Sequence, residues 1–370
     1  MPLDHLIHTF ERQRDACAEL GSPLYAALLD GVAADLRAGG VCGAVLAGHE
    51  EAPGGHAVPL RLLGGVHALV LTGRAPELAA YYPSAGGLFR PTEAGALWRA
   101  FRDTLAARRD EVRDWLSRPP QTNEVGRAGL LLAGLLYAAD RHPGPVRLFE
   151  LGASAGLNLR ADRFRLTAPG LVWGPADAPV RLPGAWTAPV PEWLTGAARR
   201  HPELTLAERR GCDPDPVDPC SPEGALALRA YVWPDQRARA ARLEGALRLA
   251  AEVPARVERR GAADFLAEVR TRPGTLTVVW HSVMRQYVPR PEWRRVEEEL
   301  ARLAAESGPD AGFAHLAFEP QREGAPDGPA EEHRFALTAR LGTGPLEELA
   351  EAHPHGLPAR GNPRGTRPRV

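Results

Sequence analysis

The stretch that decides the fold covers residues 146–159 and reads VRLFELGASAGLNL. An apolar run ends at Glu150 and gives way to Gly152 and Gly156, with Ser154 between them. This order predicts a buried parallel strand, a tight turn and the start of a helix. Open α/β sheets bind nucleotide-like cofactors at such turns, outside the carboxyl ends of the strands.

Downstream of this stretch, predicted strands alternate with predicted helices. The predicted strands cover residues 146–151, 204–211, 254–259, 275–280 and 312–318, and helices are predicted over 235–251 and from Pro291 onward. The alternation favours a parallel sheet with helices on both faces. Residues 333–341 alternate apolar and polar side chains, and a return through 353–360 predicts an antiparallel hairpin at the sheet edge. Five parallel strands and a terminal hairpin are the strands of a class I methyltransferase domain, so the predicted fold class is α/β with a Rossmann-like methyltransferase sheet.

The first third of the chain reads as helical. Apolar side chains recur at helical spacing in three segments: Leu3, Leu6, Ile7, Phe10 and Cys17; Tyr25, Leu28, Leu29, Val32 and Leu36; Leu97, Trp98, Phe101, Leu105, Val112 and Trp115. We therefore expect an all-helical N-terminal cap domain over residues 1–142, an α/β domain over 143–356 and a disordered tail over 357–370, where arginine, proline and glycine dominate.

Composition excludes several classes of protein. The formal net charge of −1 gives no basic face, so we expect no nucleic-acid partner. The four cysteines form no CxxC pair, so we expect neither a disulfide framework nor a metal site. The N-terminus shows no signal-peptide core, and no apolar run reaches the roughly 20 residues that span a bilayer. We expect a cytoplasmic protein with no membrane partner and a small-molecule substrate, and the sequence leaves its oligomeric state open.

The glycine turn predicts a site for S-adenosylmethionine. Glycine lets the backbone turn sharply and approach a ligand closely, and the carboxylate of Glu150 at the strand end suits the ammonium or hydroxyl groups of that cofactor. Ser154 stands where the usual motif has its middle glycine. The predicted cofactor-binding residues of the turn are Glu150, Gly152, Ala153, Ser154, Gly156 and Asn158.

Two other interpretations of this turn stay open. Gly-Ala-Ser-Ala-Gly is also a G-x-S-x-G sequence, which would make Ser154 the nucleophile of a serine hydrolase. Acids (Asp264, Asp327) and histidines (His353, His355) follow in the required order, although no strands are predicted before residue 146. The turn could also join strand and helix without a ligand, or serve a non-catalytic, nucleoside-binding regulatory protein.

Further candidates follow the other predicted strands. Asp213 comes at the end of the second strand, where an acid commonly binds ribose hydroxyls, and Asp264 follows the third, where an acid can lie near the adenine amino group. His281 and Ser282 end the fourth strand, and Tyr287 follows them. We predict these three as catalytic, with His281 as a general base, because its ordinary pKa lies near neutrality.

The helical part supplies candidates for substrate binding. Tyr81, Tyr82, Asn123 and Glu124 are predicted to cover the cofactor cleft or contact the substrate, with core packing as the alternative for the two tyrosines. His67, within GGVHALVL, is predicted to be a hydrogen-bonded core histidine.

Several phrases together resemble a bacterial family, domain-of-unknown-function family 2332. They are SPLYAALL (22–29), LAAYYPSAGG (78–87), QTNEVGRAGLL (121–131), LFELGASAGLNLRADRF (148–164), RRGCDPDPVD (209–218), YVWPDQRARAARL (231–243), HSVMRQYV (281–288) and HPHG (353–356). The resemblance implies a domain similar to S-adenosylmethionine methyltransferases and assigns no reaction. The sequence thus leads us to expect a methyltransferase that uses S-adenosylmethionine on a small or medium acceptor.

Overall fold

The chain folds into two compact units. The structure, a computed structural model, describes residues 2–53, 56–321 and 334–362. The first unit combines the chain up to Thr122 with Ser221–Ala241, and the second combines Asn123–Cys220 with the chain from Arg242 on. This division differs from a single boundary at residue 142, because residues 123–142 belong to the second unit and 221–241 to the first.

Helices lie in both units. In the first unit they are α1 (Pro2–Glu19), α2 (Pro23–Arg37), α3 (Val41–Val45), α4 (Val58–Leu71), α5 (Pro76–Ala79), α6 (Ala94–Ala107) and α7 (Arg109–Leu116). The later helices are α8 (Ala128–Ala139), α9 (Glu192–Arg200), α10 (Pro222–Ala230), α11 (Arg237–Glu252), α12 (Ala262–Leu266) and α13 (Arg290–Glu306). Within the ranges the structure describes, no helix is both long and apolar enough to span a bilayer.

The strands all lie in the second unit. They are β1 (Val146–Leu151), β2 (Arg165–Ala168), β3 (Leu171–Trp173), β4 (Arg181–Leu182), β5 (Leu206–Asp213), β6 (Arg256–Arg259), β7 (Thr275–Ser282), β8 (Ala311–Gln321), β9 (Arg334–Leu341), β10 (Glu347–Ala352) and β11 (Ala359–Gly361). Eight of these described strands form one sheet in the order β11-β10-β9-β8-β7-β1-β5-β6. The strands β6, β5, β1, β7 and β8 run parallel, and β9 to β11 continue antiparallel. The predicted α/β class with a largely parallel sheet is confirmed.

The strand β1 is central because its sequence is apolar on both faces. All six of its residues are buried, as expected of a parallel strand covered by helices on both sides. Its one basic residue, Arg147, is buried as well, and its guanidinium donates to Glu208 Oε2 (2.7 Å) and to the carbonyl of Arg270 (2.7 Å). These bonds compensate the loss of water around a buried charge.

Three local predictions need correction. The segment after the glycine turn is a 3₁₀ helix (Leu157–Arg163) rather than an α-helix, with non-helical backbone at Arg160. The edge pair is a three-strand antiparallel meander, because Glu347–Ala352 forms β10 ahead of the predicted return. Part of the predicted tail forms β11, while residues 363–370 lie outside the described residues.

The predicted helical stripes build the core of the first unit. Leu6, Phe10, Leu28 and Val32 are among its buried members, whereas Leu3 is 40% exposed. The returning segment completes this core: Trp233 belongs to the cluster, and Asp235 Oδ1 accepts a hydrogen bond from Ser22 Oγ at 2.7 Å.

Candidate functional site

The candidate site lies at the carboxyl edge of the parallel strands in the second unit. The chain passes from β1 outward to β5 and β6 on one side, and β7 and β8 follow on the other side. The strand order therefore reverses between β1 and β7. Open α/β sheets bind ligands outside the carboxyl ends of their strands at such a reversal.

The turn after β1 has three residues in the left-handed region. Its φ angles are +66° at Gly152, +52° at Ser154 and +65° at Gly156. Glycine adopts this conformation without a steric penalty, whereas Ser154 is strained there. Hydrogen bonds from the Ala153 amide to the Cys212 carbonyl (3.0 Å) and from the Gly156 amide to the Ala153 carbonyl (2.7 Å) fix the turn.

Asp213, the predicted ribose ligand, holds this turn in shape. It ends β5, and its Oδ2 accepts a hydrogen bond from the Ser154 amide at 2.9 Å. Its Oδ1 accepts one from the Asp215 amide, also at 2.9 Å, and the residue is 9% exposed. Both oxygens thus serve the local backbone and stabilise the positive φ of Ser154.

The space beside both glycines is filled by side chains of the protein. A Cβ at Gly152 would lie 2.9 Å from Met284 Cβ, and one at Gly156 would lie 2.6 Å from Val257 Cγ2. At Gly156 the absence of a side chain makes room for Val257 of β6. The sequence predicts a different reason for this glycine, the close approach of a ligand. At Gly152 a ligand reaches the backbone only if Met284 moves.

Two buried acceptor atoms at this edge lack donors. Glu150 and Asn158 are each 2% exposed, and neither Glu150 Oε2 nor Asn158 Oδ1 has a hydrogen-bond partner in the described part of the chain. Burial raises the pKa of Glu150 to about 8. The nearby side chains of Trp280 and Asn158 and the positive charge of Arg127 oppose this rise, whereas the negative charge of Asp213 adds to it. Unpartnered buried acceptors cost stability and call for an explanation such as a ligand.

Asn123 and Glu124, predicted to cover the cofactor cleft or contact the substrate, form hydrogen bonds with the segment that follows the glycine turn. Asn123 Oδ1 accepts a hydrogen bond from the Leu157 amide at 2.8 Å, and the Glu124 carbonyl accepts one from Asn158 Nδ2 at 3.3 Å. Glu124 Oε2 also lies 3.2 Å from Nδ1 of His355. The structure thus brings Asn123, Glu124, Glu150, Asn158 and Asp213 together around one turn.

A second cluster surrounds His281 at the end of β7. Its Nδ1 lies 2.7 Å from Glu319 Oε1 and its Nε2 lies 3.1 Å from His315 Nε2, and the residue is 2% exposed. His315 and Glu319 are four residues apart on β8, so their side chains project from the same face of the sheet. We call His281, His315 and Glu319 the relay cluster.

The hydrogen bonds define how protons are arranged in the relay cluster. Burial lowers the pKa of His315 well below its ordinary value, and the neighbouring His281, Arg340 and Arg285 act in the same direction, so His315 is neutral. The Nδ1 of His281 donates to Glu319 Oε1, and one proton lies between the Nε2 atoms of His281 and His315. Protons can therefore move between Glu319 and His315 through His281.

Glu319 is the member of this cluster with a carboxylate oxygen that accepts no hydrogen bond from a described residue. Its Oε1 also accepts hydrogen bonds from the amides of Met284 (3.1 Å) and Arg285 (3.3 Å). Its Oε2 is buried and accepts none from the residues that the structure describes. Because Met284 also touches Gly152, the short segment after β7 connects Glu319 to the glycine turn.

Two adjoining cavities border the relay cluster, with volumes of about 640 and 390 Å³. They share Arg285, Trp293, Glu319 and Gln321. The larger cavity has arginines and Phe335 around it, and the smaller one reaches His281 and His315. Volumes in this range suit small-molecule ligands.

Other predicted residues lie outside this arrangement. Tyr287 is 65% exposed, and Asp264 is an exposed residue of α12 that pairs with Arg295. Tyr82 is fully buried in the core of the first unit, and Tyr81 packs against that core. The carbonyl of Ser282 accepts a hydrogen bond from Arg127 at 3.4 Å.

His67 is the hydrogen-bonded core histidine that the sequence predicts. Its Nδ1 donates to the Ala230 carbonyl at 3.0 Å, and its Nε2 bonds Ser84 Oγ at 2.8 Å. Of the acids in the hydrolase interpretation, Asp327 lies outside the described residues. In the described ranges, no group of three or more histidine, cysteine or acidic side chains could hold a metal ion.

Sequence reasoning missed Glu319 and His315. Positions 315, 317 and 319 share one face of β8, and this alternation was visible in HLAFEP. The predicted strand, however, ended at Phe318, one residue before the carboxylate, whereas β8 extends to Gln321. The pairing of β7 with β8 places His281 opposite Ala317, between the two missed residues.

Comparison with known proteins identifies the family. A family model described as "Uncharacterized protein conserved in bacteria (DUF2332)" matches residues 7–360. Searches of curated proteins and of solved structures found no match. Since the match covers nearly the whole chain, this protein belongs to the bacterial family DUF2332.

Proposed function

We propose that this protein is a methyltransferase that binds S-adenosylmethionine beside the turn after β1 and methylates a small or medium acceptor. The strand order β6-β5-β1-β7-β8, with antiparallel strands beyond β8, supports a Rossmann-like methyltransferase sheet. The glycine turn leaves the central strand at the point where the strand order reverses. Two features depart from the expected pattern: the 3₁₀ segment after the turn and the three-strand meander.

The observation that carries the proposal is the pair of buried acceptors, Glu150 Oε2 and Asn158 Oδ1. Neither oxygen accepts a hydrogen bond from a described residue, and both belong to the turn region. An ammonium group brings three N–H donors and a positive charge, so it could bond both oxygens and favour the ionised form of Glu150. The amino group of S-adenosylmethionine is such a donor.

Binding requires a local rearrangement at Met284. Its side chain lies against Gly152, where the cofactor would approach the backbone. Rotation of the unbranched methionine side chain moves its Cγ and Cε away from Gly152, whereas its Cβ moves only with the backbone of the segment after β7. Asp213 would continue to hold the Ser154 amide and keep the turn in place.

The relay cluster supplies the acid–base chemistry of the proposed reaction. S-adenosylmethionine, when bound, supplies a methyl group activated by a sulfonium. A hydroxyl or amine acceptor would form a bond to this methyl group as its bond to sulfur breaks, the demethylated thioether nucleoside would leave, and Glu319 Oε2 can receive the proton of the acceptor. His281 orients Glu319 and links it to His315. Because both ring nitrogens of His281 are engaged in these contacts, we assign this residue a positioning role.

Calorimetric titration with S-adenosylmethionine and with its demethylated product tests this proposal. We expect micromolar binding to the wild-type protein and a loss of about tenfold or more in Glu150→Gln, which removes the negative charge and keeps the side-chain shape. Met284→Gly should tighten binding by about fivefold, because the Cβ, Cγ and Cε atoms that lie over Gly152 are gone. Asp140→Asn, at a partly buried carboxylate that pairs with Arg200, is the matched control and should bind as the wild type does. Absence of binding to the wild-type protein would exclude the proposal.

One observation favours the serine hydrolase as a second candidate. Ser154 has the positive φ expected of a strained nucleophile turn. Against it, Ser154 is only 5% exposed, and Asp264, one of the two acids in that interpretation, is exposed and pairs with Arg295. Covalent labelling by a fluorophosphonate that disappears in Ser154→Ala would support the hydrolase.

A further inference from the structure

The larger cavity combines positive charge, apolar walls and one buried acceptor. Trp293 and Phe335 supply the apolar surface, and Arg285, Arg290 and Arg294 supply three guanidinium groups. Glu319 is the acidic residue at this cavity, and its Oε2 lacks a donor in the described chain. All six residues belong to the second unit.

The arginines retain capacity for a ligand. Arg290 and Arg294 are exposed and form no ion pair with any residue in the described ranges. Arg285 lies over the ring of Trp293 at 5.2 Å and reaches the exposed Glu297 only at 3.7 Å. Guanidinium groups bind carboxylates and phosphates through paired hydrogen bonds.

We infer that this cavity binds the methyl acceptor, and that the acceptor is a small organic anion. It carries a carboxylate or phosphate for Arg290 and Arg294, an apolar body for Trp293 and Phe335, and a hydroxyl or amine that donates to Glu319 Oε2. This inference rests on the proposed function and names its substrate class. A cavity of about 640 Å³ accommodates a molecule of that size.

The unpartnered Glu319 Oε2 determines which way round a ligand binds in the cavity. An anionic group avoids Glu319 because like charges repel, and a hydroxyl or amine is attracted because the buried oxygen lacks a donor. The ligand therefore binds with its donor at Glu319 and its anion among the arginines. Since Glu319 touches Met284, this orientation brings the nucleophilic group toward the segment that covers Gly152.

Titration of the full-length protein without cofactor tests the inference. The probes are 4-hydroxybenzoate, 4-hydroxyphenylacetate and 4-hydroxyphenyl phosphate, with 4-hydroxybenzyl alcohol as the neutral analogue and benzoate as the analogue without a donor. We expect the hydroxylated anions to bind at least about tenfold more tightly than either analogue.

Two variants and a matched control identify the groups responsible. The double variant Arg290→Gln and Arg294→Gln should weaken binding of the anions by about tenfold and leave the neutral analogue unchanged. Glu319→Gln should remove the advantage of 4-hydroxybenzoate over benzoate. Arg295→Gln alters the neighbouring residue of α13, which pairs with Asp264 outside the cavity, and should behave as the wild type does. Circular dichroism checks that each variant is folded.

The outcomes separate the inference from the proposed function. Equal binding of anionic and neutral probes, an effect of Arg295→Gln equal to that of the double variant, or no binding of any anion would overturn the inference. If S-adenosylmethionine binds and none of the anions does, the proposed function is retained and small organic anions are rejected as the acceptor class. If the anions bind and S-adenosylmethionine does not, the anion site is supported and the proposal of a methyltransferase is rejected.

Discussion

Replacing Glu150 by glutamine should make the protein more stable at neutral pH. The carboxyl group is buried in the folded protein, which raises its pKa from an ordinary value of 4.5 to about 8. In the unfolded chain the group ionises freely above pH 4.5. The folded state therefore binds more protons than the unfolded state between these two pH values, and stability falls as the pH rises through this window.

The two pKa values set the size of the effect. One pKa unit corresponds to about 1.4 kcal/mol, so the penalty of Glu150 is about 3 kcal/mol at pH 7 and less than about 1 kcal/mol at pH 5. Glutamine has the same shape and does not ionise. We therefore expect Glu150→Gln to raise the free energy of unfolding by up to about 3 kcal/mol at pH 7, with a gain that shrinks on acidification.

Urea unfolding followed by circular dichroism at pH 5, 6, 7 and 8 measures this difference. Glu268→Gln is the control, because Arg260 lowers the pKa of this exposed carboxyl group and the carboxylate stays ionised across this range. The control should lose a little stability by an amount that does not vary from pH 5 to pH 8. Equal stabilities of Glu150→Gln and the wild type at pH 7, or a gap that does not narrow at pH 5, would refute the reasoning.

Three further predictions concern proton release, a buried histidine and two glycines. Binding of S-adenosylmethionine at pH 7 should release about one proton from Glu150, seen as a dependence of the calorimetric heat on buffer ionisation enthalpy that is absent in Glu150→Gln. Burial lowers the pKa of His67 to about 4, so the unfolded chain binds a proton there more readily, and the free energy of unfolding falls by up to about 3 kcal/mol as the pH falls from 6.5 to 4. In His67→Gln, urea unfolding over the same pH range should not show this fall. Gly245→Ala should destabilise the protein by about 2 kcal/mol, because its Cβ would meet the Pro179 carbonyl oxygen at 2.1 Å; Gly43→Ala, with open space in α3, should be neutral or stabilising by up to about 1 kcal/mol in the same assay.

The elements that the sequence predicted correctly have local causes. β1 follows from a continuous apolar run that ends at a glycine, and the positive φ of Gly152 and Gly156 follows from residue type. The segment after the turn was mispredicted because its conformation depends on distant partners. Arg160 is buried there, and its Nε donates to the Val253 carbonyl at 2.6 Å. No local pattern shows such a contact.

The strand β10 was missed for a related reason. Its sequence EELAEA carries three acids, which are unfavourable in an isolated strand. In the sheet, Glu351 lies 2.7 Å from Arg334 of β9 and also pairs with Arg360 of β11. Charges on neighbouring strands thus stabilise a strand that looks unsuitable by itself.

The candidate site shows the same limit. Glu150 and Asn158 were found because they belong to the turn motif, and Asp213 was found because it ends the next predicted strand. Glu319 was not found, because its importance depends on the pairing of β7 with β8, and strand neighbours cannot be read from one sequence. The predicted base, His281, lies at a strand end as expected, but its two ring nitrogens contact Glu319 and His315, which no pattern in the sequence connects with it.

The segment Ser221–Ala241 has a consequence for how this protein is made. It supplies Trp233 and Asp235 to a core otherwise built from the first 122 residues, and Trp233 packs 6.1 Å from the ring of Tyr25. During synthesis the ribosome must therefore extend the chain past β1 and β5 before the N-terminal helices obtain their last core contacts. A fragment cut at Thr122 would lack these contacts and leave apolar surface bare, so truncation studies need both pieces.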